Sequence, residues 1–448
     1  MTGLVVRSRR VVFADGVRPA SIHIRDGAIV GVFEFDLIPA DCRLDDAGDL
    51  VVMPGVVDTH VHVNEPGRTD WEGFETATRA AAAGGVTTIV DMPLNSIPAT
   101  TSVEALEAKR RAAHGKCFVD VGFWGGVVPG NSAALEPLWS AGVLGFKCFL
   151  VPSGVDEFES VTEGDLHAAM PILARLGAPL LAHAELPGPI ATAQARIGTS
   201  DPRRYATYLA TRPKAAENEA IALLIALCRQ HGVRTHIVHL ASSEALAMIR
   251  EARASGLPLT AETCPHYLTF AAEEIRDGAT AFKCAPPVRE RDNREGLWGA
   301  LAGGTIQMVA SDHSPSPPAM KRLDTGDFLR AWGGISSLQV ALAATWTEAS
   351  SRGYSLNQLA QWMCRAPAQL AGLVSKGAIE GGADADLVIW DPDVEVTVDA
   401  RRLHHRHPLT PYDGRRLRGR VERTYLRGHV VAPRAEPSSI PRGRLLTR

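Results

Sequence analysis

The 448-residue chain has the composition of an ordinary folded protein, with 45% apolar residues, 22% charged residues and a formal net charge of -3. This composition excludes a disordered or collagen-like chain, and no apolar run is long enough for a membrane span. The first residues lead into strand-like sequence without the apolar core of a signal peptide, so we expect a cytoplasmic protein. The seven cysteines are widely spaced, which argues against a disulfide framework and against a zinc ribbon.

Positive charge is concentrated near the C-terminus, where residues 401–448 hold thirteen arginines and only three acidic residues. Such a stretch could bind nucleic acid. However, the arginines at 418–426 alternate with apolar residues as on a solvated strand, and no nucleic-acid-binding motif accompanies them. We therefore expect no nucleic-acid partner, and binding of DNA by residues 401–448 is the less favoured alternative.

The two ends of the chain are rich in strand-like sequence. Near the N-terminus, Leu4–Phe13 and Ala20–Ile24 are separated by Asp15-Gly16, the dipeptide typical of a hairpin turn. Similar β-rich stretches occur at 386–391 and 421–431. We therefore predict that residues 1–53 and 376–448 pair into one small β-sandwich domain, interrupted by a larger domain.

Between these ends, residues 54–375 repeat a unit in which a short apolar run precedes a helix-like segment. The predicted strands are Val56–Val63, Val86–Met92, Cys117–Trp124, Val143–Phe149, Pro179–Ala184, Thr235–Leu240, Leu257–Thr263 and Ile306–Ser311. The predicted helices include Glu72–Ala83, Ser102–His114, Thr162–Leu176, Lys214–His231, Glu244–Ala254 and Ile335–Ser351. Eight such units predict an α/β protein with a (β/α)8 TIM-like barrel. The alternative is an open doubly wound sheet, which is disfavoured because no Gly-x-Gly-x-x-Gly turn follows the first strand.

Metal-capable side chains lie on or at the ends of five of these strands, where a barrel gathers its catalytic groups. They are His60, His62, Lys147, His183, His239 and Asp312. His60 and His62 are two residues apart on one strand and therefore share a face. Alone, each histidine could be a hydrogen-bonded core residue and Asp312 a helix cap, but six such residues at strand ends favour a metal site.

Lys147 is the most unusual member of this set, because it lies in an apolar strand between Phe146 and Phe149. A buried lysine charge costs several kcal/mol unless the amine is paired or neutralised. Burial lowers the lysine pKa, and a neutral amine can react with carbon dioxide to give a carbamate. Since a carbamate has two oxygens, it could bridge two divalent metal ions held by the four histidines and Asp312.

Several longer motifs resemble the cyclic amidohydrolases, the group that includes dihydroorotases, hydantoinases and allantoinases. These motifs are Pro54-Gly55-Val56-Val57-Asp58-Thr59-His60-Val61-His62, Gly84-Gly85-Val86-Thr87-Thr88, Gly145-Phe146-Lys147, Ser311-Asp312-His313 and Lys376-Gly377-Ala378-Ile379-Glu380-Gly381. The resemblance implies a metal-dependent barrel, an N6-carboxylated Lys147 and a homotetramer. It also implies that Asp312 is both a metal ligand and the catalytic base.

Within this group, the segments at 64–73 and 91–96 are most similar to those of the allantoinases. Asn64 stands where the dihydroorotase pattern has an arginine for its substrate carboxylate, although Arg68 nearby could still serve an anion. The resemblance therefore implies hydrolytic opening of the hydantoin ring of allantoin to allantoate. A hydantoinase or dihydropyrimidinase acting on 5-substituted hydantoins is the main alternative. A non-catalytic scaffold relative is less favoured, because all six metal positions are filled.

The same resemblance places substrate contacts in the loops that follow the strands. The candidates are Asn64, Asn95, Cys284, Ala285, Gly333 and Gly334. Histidine, carbamate and carboxylate ligands suit two divalent ions, of which Zn2+ is the first expectation and Co2+, Fe2+ and Mn2+ are alternatives.

Overall fold

The computed structural model describes residues 3–434 and 436–448. The strands are β1 Leu4–Phe13, β2 Gly16–Arg25, β3 Ala28–Phe33, β4 Arg43–Asp46, β5 Val51–Pro54, β6 Val56–Val61, β7 Val86–Asp91, β8 Asp120–Phe123, β9 Gly125–Gly126, β10 Phe146–Phe149, β11 Leu180–His183, β12 Thr235–Ile237, β13 Leu259–Thr263, β14 Met308–Val309, β15 Leu387–Thr397, β16 Arg416–Leu426 and β17 His429–Pro433. The helices are α1 Phe74–Ala83, α2 Val103–Ala113, α3 Ser132–Ser140, α4 Glu163–Leu176, α5 Pro187–Ala195, α6 Tyr205–Thr211, α7 Lys214–His231, α8 Leu246–Ala254, α9 Pro265–Thr269, α10 Arg291–Ala302, α11 Ala341–Ser351, α12 Leu356–Ala360 and α13 Ala366–Leu370.

The strands β6 to β14 form a closed parallel ring. Strands β6, β7 and β8 pair in that order, and strands β9 to β14 form a second run of parallel pairs. The two runs meet where the Leu144 amide donates to the Phe123 carbonyl at 2.9 Å. At the other seam, the His62 amide donates to the His313 carbonyl at 2.8 Å. This closure is that of an α/β barrel, and an open doubly wound sheet would lack it.

The two chain ends meet in a mixed sheet, as predicted. Its strand order is β17-β16-β15-β5-β1-β2-β3, and β4 pairs with β1. The N-terminal and C-terminal parts are joined by the antiparallel pair β5 and β15. The pairing describes one continuous sheet, so its division into a sandwich, like the domain limits at residues 53 and 375, stays a prediction.

Successive apolar residues of the central strands β5 and β15 alternate between two hydrophobic clusters, one on each face of the end sheet. Val52 and Ile389 belong to a hydrophobic cluster of the end sheet, whereas Val51, Val388 and Trp390 belong to the main hydrophobic cluster, which includes the barrel strands and their helices. Successive residues of a strand point to opposite faces, so both faces of the sheet are buried here. The end sheet is therefore packed against the barrel.

A buried lysine joins the barrel to the end sheet. The Lys376 amine lies 2.6 Å from carboxylate oxygens of Asp120 and Asp386 and 2.8 Å from one of Asp384. Asp120 begins β8 and Asp386 immediately precedes β15. These three carboxylates are close enough to hold a metal ion, but the Lys376 ammonium group already forms an ion pair with each of them.

The predicted elements are largely present, and one helix boundary was wrong. Helix α7 has the predicted bounds, whereas the helix predicted at Ile335–Ser351 begins only at Ala341. The first residues of that segment instead hydrogen-bond to the chain that follows β14. The Ile335 carbonyl accepts from the Ser314 amide at 3.0 Å, and the Ser337 amide donates to His313 Nδ1 at 3.1 Å. Helices α3, α5, α6, α9, α10, α12 and α13 have no counterpart among the predicted segments named above.

The arginine-rich C-terminal stretch contributes β16 to the end sheet. Arg416 and Arg423 form ion pairs with Glu395 and Asp45, at 2.7 and 3.1 Å. These two arginines therefore form ion pairs with residues of other strands in the same sheet. In the described part of the chain, no helix combines the length and apolarity needed to cross a membrane.

Candidate metal centre

The barrel brings the six metal-capable side chains to one end. His60, Lys147 and His183 lie within β6, β10 and β11, whereas His62, His239 and Asp312 lie in the residues just beyond β6, β12 and β14. All six are buried. They converge because parallel strands end on the same side of the barrel.

Three of these side chains form a compact group. Asp312 Oδ1 lies 3.2 Å from His60 Nε2 and 3.5 Å from His62 Nε2. Their candidate ligand atoms all lie within 4.8 Å of one another. Two imidazole nitrogens and a carboxylate oxygen at such spacing suit a divalent transition metal.

A second pair of histidines lies beside this group. His183 Nδ1 is 3.0 Å from His239 Nε2, and the His239 ring centre is 5.3 Å from that of His60. The other nitrogen of His183, Nε2, lies 2.7 Å from Glu185, which also contacts Arg212. Because the protonated Nε2 donates a hydrogen bond to Glu185, the Nδ1 of the neutral His183 ring keeps its lone pair and can bind a metal.

Lys147 is buried in β10, next to the strand that carries His183, and lacks a polar partner in the described part of the chain. Within the residues that the structure describes, its Nζ makes no hydrogen bond, and it lies 5.0 Å from the centre of the Phe149 ring. Burial lowers the pKa of this amine to about 8. An orphaned amine among metal-capable side chains fits a carbamate better than an ammonium ion.

The electrostatics agree with a site built for cations. Burial alone would raise the pKa of Asp312, but nearby His60 and His62 outweigh it and lower the pKa to about 2. Burial also lowers the pKa of His62 to about 4. The centre therefore combines neutral imidazoles with an ionised carboxylate, and the residues present fit a pair of divalent metal ions.

Backbone strain is concentrated around this centre. His239, Asp312, Asn64 and Asn95 all have left-handed backbone conformations, with φ of 39°, 47°, 67° and 72°. Non-glycine residues adopt these angles at an energetic cost and persist in them where the surrounding structure holds them. Here the strain accompanies the placement of two metal-capable side chains.

The centre forms the floor of a cavity of about 590 Å³. Of the predicted substrate contacts, Asn95, Ala285, Gly333 and Gly334 line this cavity. Asn64 and Cys284 are buried but do not line the cavity. The side-chain amide of Asn64 instead faces the Pro315 carbonyl, at 3.5 Å. The predicted set is thus only partly brought together.

Several residues at the site were not anticipated. Tyr208, Arg212, Lys283 and Trp332 line the cavity, and Glu262 contacts His60. Glu262 carried a readable signal, since a charged residue in an apolar predicted strand is the same anomaly that singled out Lys147. The lining residues carried none, because they lie on loops and short helices whose spacing does not reveal a cavity.

A family model described as "Amidohydrolase family" matches residues 51–431. The chain is 52% identical over 446 residues to the allantoinase of Streptomyces avermitilis, covering 99% of this chain and 98% of that protein. It is 46% identical over 443 residues to the allantoinase of Arabidopsis thaliana, covering 95% and 87%. Among solved structures, the L-hydantoinase (dihydropyrimidinase) of Arthrobacter aurescens matches with a TM-score of 0.95 and 32% identity over the full length of both chains.

Proposed function

The chain belongs to the amidohydrolase family, and on that premise we propose that it hydrolyses the hydantoin ring of allantoin to give allantoate. The observation that carries the proposal is the meeting of four histidines and Asp312 at the floor of one cavity, with the buried Lys147 on the neighbouring strand β10. The choice of substrate is supported by 52% identity to the S. avermitilis allantoinase over nearly the whole of both chains.

Two divalent metal ions fit the proposed centre. His60, His62 and Asp312 would hold one ion and His183 with His239 the other, and a carboxylated Lys147 would contribute an oxygen to each. Bound ions of this kind lower the pKa of water and polarise a carbonyl group. We assign Zn2+ as the first expectation, with Co2+, Fe2+ and Mn2+ as alternatives.

Asp312 is the proposed base and acid of the reaction. In the hydrolysis, water adds to the ring carbonyl, and the carbon–nitrogen bond of the cyclic amide breaks. An Asp312 carboxylate oxygen accepts the proton that water loses and returns it to the departing ring nitrogen. The balance is one water consumed, one carboxylic acid formed and one nitrogen protonated; the acid then releases its proton to solvent as the carboxylate.

The cavity wall suits a ring rich in amide groups. Asn95 contributes an amide side chain, and the small residues Ala285, Gly333 and Gly334 bring the backbone close to the cavity. Such groups orient a small substrate by hydrogen bonds while the apolar rings of Phe149 and Trp332 exclude water. This wall gives substrate specificity, whereas the floor carries out the reaction.

The proposal has four further parts. They are the carboxylation of Lys147, assembly into a homotetramer, a cytoplasmic location and a division into a barrel domain at 54–375 and an end domain built from 1–53 and 376–448. Each follows from the resemblance or from the sequence pattern and awaits its own measurement.

A substrate panel tests the proposed reaction. Protein of measured metal content is assayed with allantoin, hydantoin, 5-substituted hydantoins, dihydrouracil and dihydroorotate, with Asp312→Asn as the inactive control. We expect the highest kcat/KM with allantoin. A higher value with a 5-substituted hydantoin would instead identify a hydantoinase, and no turnover of any substrate by metal-loaded protein would favour a scaffold.

A further inference from the structure

We propose that Glu262 and His236 form a positioning pair that sets the tautomer of His60 and thereby the metal affinity of the centre; this inference rests on the proposed metal-dependent function. Neither residue lines the cavity above the centre. Their effect on the reaction would therefore pass through His60.

Glu262 lies at the centre of a buried hydrogen-bond chain. It belongs to β13 and is fully buried. Its Oε1 is 2.5 Å from His60 Nδ1, and its Oε2 is 3.0 Å from His236 Nε2. Oε1 also accepts from the His239 backbone amide at 3.4 Å. One carboxylate thus contacts two of the residues that would bind metal, His60 by its side chain and His239 by its backbone.

The position of each proton along this row of hydrogen bonds can be assigned from the donors and acceptors present. Both oxygens of the Glu262 carboxylate face imidazole nitrogens, Oε1 that of His60 and Oε2 that of His236. An ionised carboxylate can only accept, so His60 Nδ1 must donate. In the neutral ring, His60 Nε2 then keeps its lone pair, 3.2 Å from Asp312 Oδ1. Two acceptors facing each other at that distance suit a cation between them.

His236 supports Glu262 from the other side. Its Nε2 donates to Glu262, so its Nδ1 is an acceptor, and Thr260 Oγ1 lies 2.8 Å from that nitrogen. The hydroxyl of Thr260 therefore donates to His236. Each of the three hydrogen bonds between Thr260, His236, Glu262 and His60 therefore has a fixed donor. This leaves His60 in the tautomer that binds metal through Nε2.

The test compares metal affinity in variants of this chain. Replacing Glu262 by glutamine leaves one acceptor and one amide donor where two imidazoles both need to donate. Outer-shell partners of this kind change metal affinity by about 10–100-fold. We expect Glu262→Gln and His236→Leu to weaken metal binding within that range, measured on the metal-loaded enzyme by competition with a chromophoric chelator. His236→Gln, whose amide can donate to Glu262 and accept from Thr260, should restore much of the affinity.

A second buried glutamate supplies the matched control. Glu217 of α7 accepts from the Ala241 amide at 2.7 Å and is buried like Glu262, but no hydrogen bond or ion pair joins it to the six metal-capable residues in the described part of the chain. Glu217→Gln should therefore retain metal as the unchanged protein does. Equal weakening by Glu217→Gln, or unchanged affinity in both Glu262→Gln and His236→Leu, would overturn the proposal.

Two further measurements separate folding and function from positioning. Circular dichroism checks that each variant is folded, and Thr260→Val, which keeps the side-chain volume, tests the same chain with a smaller expected loss if Glu262→Gln fails to fold. If Glu262→Gln is unfolded, the decision rests on Thr260→Val and His236→Leu. Unchanged metal affinity in both of these folded variants would overturn the proposal. Failure of the proposed function would appear differently, as absent metal-dependent turnover of allantoin by the unchanged protein.

Discussion

The floor and the rim of the cavity are built in different ways. The floor consists of five buried side chains that line the cavity, together with the buried Lys147, which does not line it; all six are carried by β6, β10, β11, β12 and β14 or by the residues just beyond them. The rim includes residues from α6 and its C-terminal end and from the loops after β7, β10, β13 and β14, among them Arg212, Lys283 and Trp332. Strand geometry alone brings the floor together, whereas the rim depends on contacts between distant loops.

Two lysines hold those rim loops in place. The Lys283 amine donates to the carbonyls of Leu329 and Ala331, at 3.2 and 2.5 Å. The Lys321 amine donates to the carbonyls of Lys283 and Gly334. The rim is therefore a set of backbone segments fixed by two lysine amines, and we expect changes there to alter substrate binding more than metal binding.

The largest effect is expected at Lys147 on the floor. Lys147→Ala should lower both metal content and turnover by at least about a hundredfold, because it removes the proposed bridging group. A short carboxylate added to the medium should restore part of both. Lys109→Ala is the control, since Lys109 is equally buried but its amine pairs with Asp91 at 2.6 Å and not with a metal-capable residue of the centre. Unchanged metal content in Lys147→Ala would contradict the bridging role.

Asp312 should separate turnover from binding. Asp312→Asn should lower kcat by about 10²–10⁴-fold, the usual contribution of a positioned acid–base group. Steady-state kinetics at saturating metal provide the measurement. A change confined to KM would argue against proton transfer by Asp312.

Gly334 tests the rim directly. A Cβ on Gly334 would lie 2.2 Å from the Ser314 carbonyl oxygen, and the residue has a φ of 123° that side chains rarely adopt. Gly334→Ala should therefore lower kcat/KM for allantoin by about tenfold, mainly through KM, and leave metal content intact. Gly299→Ala on α10 is the control, because a Cβ there would meet no neighbouring segment within 4 Å and Gly299 does not line the cavity. Loss of metal in Gly334→Ala would show that floor and rim are not independent.

The smallest expected effect is a pH dependence of stability from Lys321. Burial lowers the pKa of its amine from 10.5 to about 7. Between these values the unfolded chain still binds the proton that the folded chain has released, so the free energy of unfolding should rise with pH. Lys321→Met should flatten that rise in denaturant titrations at several pH values. The same slope in both proteins would contradict this assignment.

The difference between floor and rim also decides what the sequence reveals. His60, His62, Lys147 and Asp312 could be recognised because a charged or metal-capable residue at the end of an apolar strand needs a physical reason. Glu262 met the same criterion and was overlooked. Arg212 and Trp332 could not be recognised, because loop contacts such as those of Lys321 depend on segments far apart in sequence. The fold follows the same rule, since regular helices such as α7 were predicted closely, whereas the late start of α11 depends on a contact with His313.

The central claim is that a binuclear metal centre on this floor hydrolyses allantoin. Its most direct test is to remove metal from the protein with a chelator and then titrate Zn2+ back in the presence of bicarbonate while following allantoin hydrolysis. We expect activity to be absent from the stripped protein and to rise until about two ions are bound per chain. Full activity in metal-free protein, or metal-loaded protein that leaves allantoin unchanged, would contradict the account.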